Sequence, residues 1–205
     1  MSIILIGLTS FFVALSGALV PGPLFTITVA ESARKGFISG PLIILGHGIL
    51  ELSLIVLLIL GLAPFFSNPK VIIVISVLGG LMLVYMGFRM IREARSALIS
   101  TSVESESKGI NPILSGIIGS ISNPYWTIWW ATIGLGYLVS SFKFGMSGVA
   151  VFFIGHILAD LLWYSLISFS VARGKRFIGN RGYKALFYIC GIFLILFGLW
   201  FIQGI

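Results

Sequence analysis

The chain contains two histidines, and each stands four residues before a carboxylate. His47 and Glu51 form one pair, and His156 and Asp160 the other. On a helix that spacing puts both side chains on one face. Trp163 extends the second face by another turn. Both carboxylates lie well inside apolar runs, where a charge costs about 2.5–3.5 kcal/mol on insertion scales. Such groups persist when they are paired or when they work. One reading is local glue: each pair neutralises itself and fixes a helix contact. The other, which intramembrane ionisable groups favour by default, is a proton or substrate site. Imidazole titrates near neutrality and can exchange protons during a cycle. The same four side chains also make a plausible ligand set for a divalent metal ion, and the alternative function is then a divalent metal cation exporter. Against that reading, the loops lack the His-rich tracts that feed such sites.

Two proline breaks are candidates to border such a site. Pro21-Gly22-Pro23 interrupts an apolar run without a charged residue from Ile3 to Ala30. Pro21 and Pro23 lack an N–H, and each disfavours helix in the residue before it. Freed backbone groups find no water in lipid, so such breaks are tolerated where protein buries them or where they line a wet cavity. Asn123-Pro124 makes a second break. The half-helices that follow, beginning at Leu24 and Tyr125, have N-termini that favour anions, and Asn123 is placed to cap its half-helix or touch substrate. Taken singly, each break is equally well read as a kink closed by neighbouring helices; two at related positions favour a site.

The composition sets the solvent. Of 205 residues, 58% are hydrophobic and 9% charged, against about 25% charged in soluble domains, and the mean hydropathy is +1.12. This is the composition of an integral membrane protein. Six segments approach the roughly 20 residues needed to cross the hydrocarbon: 3–30, 40–62, 71–90, 113–139, 145–171 and 185–202. No secretory leader is expected, because Met1-Ser2-Ile3 lacks a basic start.

The net charge of +7 could suggest nucleic acid, but its placement points to topology. Arg34, Lys35, Arg89, Arg92, Arg95, Lys108, Arg173, Lys175, Arg176, Arg181 and Lys184 fall in the connections 1–2, 3–4 and 5–6. Only Lys70 and Lys143 fall in the other two. The positive-inside bias makes the first set cytoplasmic and puts both termini outside. Glu31, Arg34 and Lys35 then sit at the cytoplasmic mouth as topology residues, with a gate as the alternative.

The halves resemble each other. Residues 1–95 and 113–205 flank a polar cytoplasmic linker, 96–112. Gly46-His47 matches Gly155-His156 at an offset of 109, and Gly80 and Gly87 match Gly191 and Gly198 at an offset of 111. Pro21 and Pro124 differ by 103. Three crossings per half make the second enter from the opposite face. The expected fold is therefore all-α, with six transmembrane helices in two inverted three-helix repeats, the first helix of each broken at proline. Transporters built this way place their site at the repeat interface near the midplane. The spaced glycines read as close-packing stripes.

Tyr125, Trp126, Trp129 and Trp130 read first as an interfacial belt or lipid-facing packing, and alternatively as an aromatic wall for substrate. An intramembrane enzyme or thiol carrier is disfavoured: Cys190 is alone, and the His–Glu spacing is not that of HExxH. No cofactor is expected.

With Gly17, Pro21, Gly22, Pro23, Gly36, Gly40, Gly46, Asn123 and Pro124 in place, the chain resembles the LysE/RhtB family of amino-acid exporters along its whole length. The resemblance implies gradient-driven efflux of amino acids through a prokaryotic inner membrane. The coupling ion is expected to be the proton. The paired His–carboxylate groups are not claimed for that family as a whole.

Overall fold

In a computed structural model, residues 2–19, 22–62, 69–96 and 110–203 are described. Pro21 and most of the expected linker, 97–109, lie outside them. Helices α1 (Ile3–Ala18), α2 (Pro23–Lys35), α3 (Ser39–Leu57), α4 (Pro69–Ser96), α5 (Pro112–Ile121), α6 (Pro124–Trp129), α7 (Leu135–Phe142) and α8 (Gly145–Gln203) follow in order. Single π-helical turns extend α3 over Leu58–Leu62 and join α6 to α7 over Trp130–Gly134. No strand occurs among the described residues. Ser39–Gly61 and Gly145–Gly174 are each long and apolar enough to cross a membrane, and α1 with α2 qualifies as a pair bent by 76°. Pro112–Ile121 and Lys184–Trp200 are shorter apolar helices.

Both expected breaks are present, and each has a local cause. Gly22 is extended at φ −153° and precedes Pro23 in the first turn of α2. Asn123 is extended at φ −96°, and its side chain accepts from the Tyr125 N–H at 3.1 Å. An extended residue before proline is what the ring demands. The chain leaves α2 through Gly36, whose φ of +84° suits a residue without Cβ.

The basic connection between the fifth and sixth segments departs from expectation. Arg173–Lys184, expected as a loop, is helical, so α8 runs for 59 residues. Its two apolar parts nevertheless pack on the same neighbours. Phe25 and Met86 each pack against the cluster holding Tyr164 and against the cluster holding Phe187, Cys190 and Leu194. Ser32 meets Ser168 and Arg34, two residues on, lies over Phe187, whereas a straight helix would separate Ser168 from Phe187 by about 28 Å.

Glycine contacts hold the helices at close range. A methyl group on Gly46 would collide with the Ile113 carbonyl oxygen, and one on Gly116 with that of Ile43. On Gly155 it would lie 2.5 Å from the Gly7 oxygen. Where α4 meets the second part of α8, a methyl on Gly80 would lie 2.7 Å from the Gly198 oxygen, and one on Gly191 would lie 2.8 Å from that of Gly87. Backbones approach this closely only across small residues.

These contacts predict a position-dependent cost. Gly46→Ala must push α3 from α5 and is expected to cost about 1–3 kcal/mol, as overpacking does. Gly136→Ala meets nothing within 4 Å and is expected to be neutral or mildly stabilising. Thermal unfolding of both variants in detergent checks this; equal midpoints would show that the α3–α5 contact is not tight.

Candidate functional site

Helices α3 and α8 cross where their His–carboxylate pairs face one another. His47 Nε2 lies 3.2 Å from Glu51 Oε1 on its own helix and 3.6 Å from Asp160 Oδ2 on the other. His156 Nε2 lies 3.4 Å from Asp160 Oδ2 and 3.1 Å from Glu51 Oε2. All four residues are buried, Glu51 to 1% exposure. The i,i+4 spacing supplies the contacts within each helix, and the crossing supplies the two between them. Gly46 and Gly155, each preceding a histidine, are close-contact positions for α5 and α1.

The surroundings fix the orientation of these groups. The indole N–H groups of Trp126 and Trp130 donate to Glu51 Oε1 at 2.9 and 2.8 Å. Those tryptophans, expected first as a belt, are polar partners of a buried carboxylate. The spacing offered a signal: Trp126 and Trp130 share a face, and each indole carries one N–H that needs an acceptor when buried. His47 Nδ1 lies 2.7 Å from Ser120 Oγ, which donates its own hydrogen to the Gly116 carbonyl at 2.7 Å. A hydroxyl has one proton, so Nδ1–H is the donor to Ser120. The Nε2 of neutral His47 therefore turns a lone pair toward the carboxylates. His156 Nδ1 has no hydrogen-bond partner among the described residues, and the Trp129 ring stands 4.7 Å from the His156 ring.

Beside the four groups is a cavity of about 60 Å³, room for a few waters. Ala18 and Leu24 border it from the first break, Asn123 and Tyr125 from the second, and all four ionisable residues line it. Gly22 and Pro23 do not line it. Pro124 opens α6 beside it. Trp163 does not border the cavity; its neighbour Tyr164 does. Trp163 packs with the cluster of Ile27, Ile43 and Ile44.

A second polar cluster closes the C-terminal end of α2. Glu31 is 3% exposed and pairs with Arg34 at 2.6 Å and Lys35 at 2.9 Å. Lys35 also donates to the Ile110 carbonyl at 2.7 Å, and Arg34 lies over the Phe187 ring at 4.7 Å. Next to them, Ser32 donates to Ser168 at 2.8 Å. These side chains, expected at a membrane mouth, tie α2 to α8 and to the segment leading into α5.

The family described as LysE type translocator matches residues 15–204. The chain is 22% identical over 186 residues to YcgF of Bacillus subtilis (strain 168), named as an amino acid efflux protein, covering 90% of this chain and 89% of that one. It is 25% identical over 177 residues to the chemotactic transduction protein ChpE of Pseudomonas aeruginosa, covering 85% and 86%. No solved structure matches.

The indole bonds to Glu51 can be measured as a coupling. Trp130→Phe removes one hydrogen bond to a charged acceptor and is expected to cost about 1.5–3 kcal/mol. In a Glu51→Gln background the same change should cost clearly less, because the acceptor is no longer a carboxylate. A double-mutant cycle on unfolding in mixed micelles reads the difference; additive losses would mean that Trp130 acts through packing alone.

Proposed function

The chain belongs to the family of LysE type translocators, and from that we propose that it exports amino acids or related small metabolites by alternating access through a prokaryotic inner membrane. It is a membrane transport protein and not an enzyme. One observation carries the proposal: both interrupted helices and all four buried ionisable side chains meet at a single cavity. Efflux is also the activity in the name of YcgF.

The two ends of an amino acid find different partners. Gly22 offers no side-chain cap to α2, whose first intrahelical bond runs from Thr26 N–H to the Gly22 carbonyl. The Leu24 and Phe25 N–H groups are therefore the helix's spare donors, suited to a substrate carboxylate. At α6, Asn123 already takes the Tyr125 N–H, so the first break is the better anion end. Asp160 is the acid better placed for the substrate ammonium or a coupling proton. Glu51 is engaged by two indoles and two imidazoles. The cavity holds a few waters and must widen to admit an amino acid.

Alternating access follows from an inverted repeat of 1–95 and 113–205 around the 96–112 linker, with both termini outside. The glycine contacts support it. Adding 109 to Gly46 and Gly7 gives Gly155 and Gly116, so the α3–α5 and α8–α1 contacts correspond. Adding 111 to Gly80 and Gly87 gives Gly191 and Gly198. The Gly80–Gly198 contact thus maps onto Gly191–Gly87, as a two-fold axis requires.

Reconstituted liposomes loaded with a panel of labelled amino acids test the reading. Wild type should release at least one of them under an imposed proton gradient or by exchange. Asp160→Asn and Glu51→Gln should each lower that flux at least about tenfold, the scale of losing one well-made polar contact. Wild-type liposomes that release no amino acid under either regime would end the proposal.

A further inference from the structure

We propose that His47, Glu51, His156 and Asp160 form a four-coordinate site for one divalent transition-metal ion of the zinc class. The proposal concerns binding and stands apart from which solute is exported. One ligand atom from each residue can be chosen so that all lie within 4.8 Å of one another. Zinc bonds to imidazole nitrogen and carboxylate oxygen run about 2.0–2.2 Å in a tetrahedron, whose edges are then about 3.3–3.6 Å. Among the atoms that would coordinate, His47 Nε2–Asp160 Oδ2, His156 Nε2–Glu51 Oε2 and His156 Nε2–Asp160 Oδ2 are 3.6, 3.1 and 3.4 Å apart. Three edges already have about the length found in a coordination shell, and metal binding would close the rest.

The groups behind the ligands match what a metal site needs. Ser120 takes the Nδ1 proton of His47, which leaves Nε2 as the ligand; metal-bound histidines are oriented in this way. The two indoles hold Glu51 by Oε1, which leaves Oε2 to coordinate. Two carboxylates and a divalent cation sum to no net charge, which suits a position deep in apolar surroundings. Two nitrogens and two oxygens in tetrahedral array favour zinc and its neighbours over calcium or magnesium, which require six or more oxygens or several retained waters.

Cobalt(II) is a suitable probe, because its visible spectrum separates tetrahedral from octahedral coordination. The full chain, purified in detergent and stripped with chelator, is titrated with Co²⁺ and then with Zn²⁺. One equivalent of Co²⁺ should bind with the intense bands of a tetrahedral ion, and Zn²⁺ should displace it. His47→Ala with His156→Ala should abolish the bands. Ser120→Ala, which removes no ligand, should weaken the affinity about 10–100-fold at unchanged stoichiometry. The proposal is overturned by a wild-type titration with no bands or only the pale octahedral spectrum, a result readable whether or not the variants fold. Bands that survive the double histidine substitution overturn it equally. Because the readout is spectroscopic, a failed amino-acid flux assay leaves this test intact, and the reverse also holds.

Discussion

Four ionisable side chains meet at one helix crossing among apolar residues, and the surrounding structure answers the cost of placing them there. A lone charge at such depth is expensive. Removing one partner of a buried pair leaves the other uncompensated. The answer is dense pairing: each imidazole reaches both carboxylates, within 3.1–3.6 Å. Two indoles and a serine complete the arrangement. None of this forms unless α3 and α8 are held in register. The glycine contacts of α3 with α5 and of α8 with α1 leave little freedom to slip, since each would have to pass a backbone carbonyl.

The helix breaks belong to the same problem. A helix end exposes unpaired N–H and C=O groups that lipid cannot satisfy. At the second break Asn123 supplies its own cap. At the first, Gly22 supplies none, and spare donors remain beside the cavity that Leu24 lines. A broken helix is tolerated here because the space it borders is large enough for water to reach the spare donors. Its other end is anchored by Glu31, Ser32, Arg34 and Lys35. The half-helix α2 is thus fixed at its C-terminal end and left with open polar groups at its N-terminal end.

Much of this was legible in the sequence, for reasons specific to each residue. His47/Glu51 and His156/Asp160 announced themselves by helical spacing in apolar runs, and both proline breaks by backbone chemistry. The glycine pairs were legible as packing stripes, although not which partner each would meet. The indole bonds to Glu51 were not read, because a tryptophan cluster in an apolar segment looks the same at a lipid interface as in a site. Only the facing helix decides between them. Ser120 left no signal, since its partner lies 73 positions away and its hydroxyl resembles that of any helical serine. Trp163 was expected on the site's face as the next turn after His156 and Asp160. The cavity instead lies toward the adjoining face, which the crossing with α3 selects. The basic stretch Arg173–Lys184 suggested a loop by charge, yet Arg and Lys are good helix formers and the helix runs through it.

The pairing pattern also bears on how the two helices could part. Of the four imidazole–carboxylate contacts, His47–Glu51 and His156–Asp160 lie within one helix each. The other two, His47–Asp160 and His156–Glu51, bridge the crossing. Separating α3 from α8 breaks only the bridging pair. With its imidazole protonated, each helix carries away a self-neutral couple, so no isolated charge is left in apolar surroundings. Had each histidine sat opposite its only carboxylate, the same movement would have stranded two cations and two anions at several kcal/mol apiece. The i,i+4 spacing therefore does more than assemble the cluster. It lets the cluster be divided, as the proposed alternating access requires.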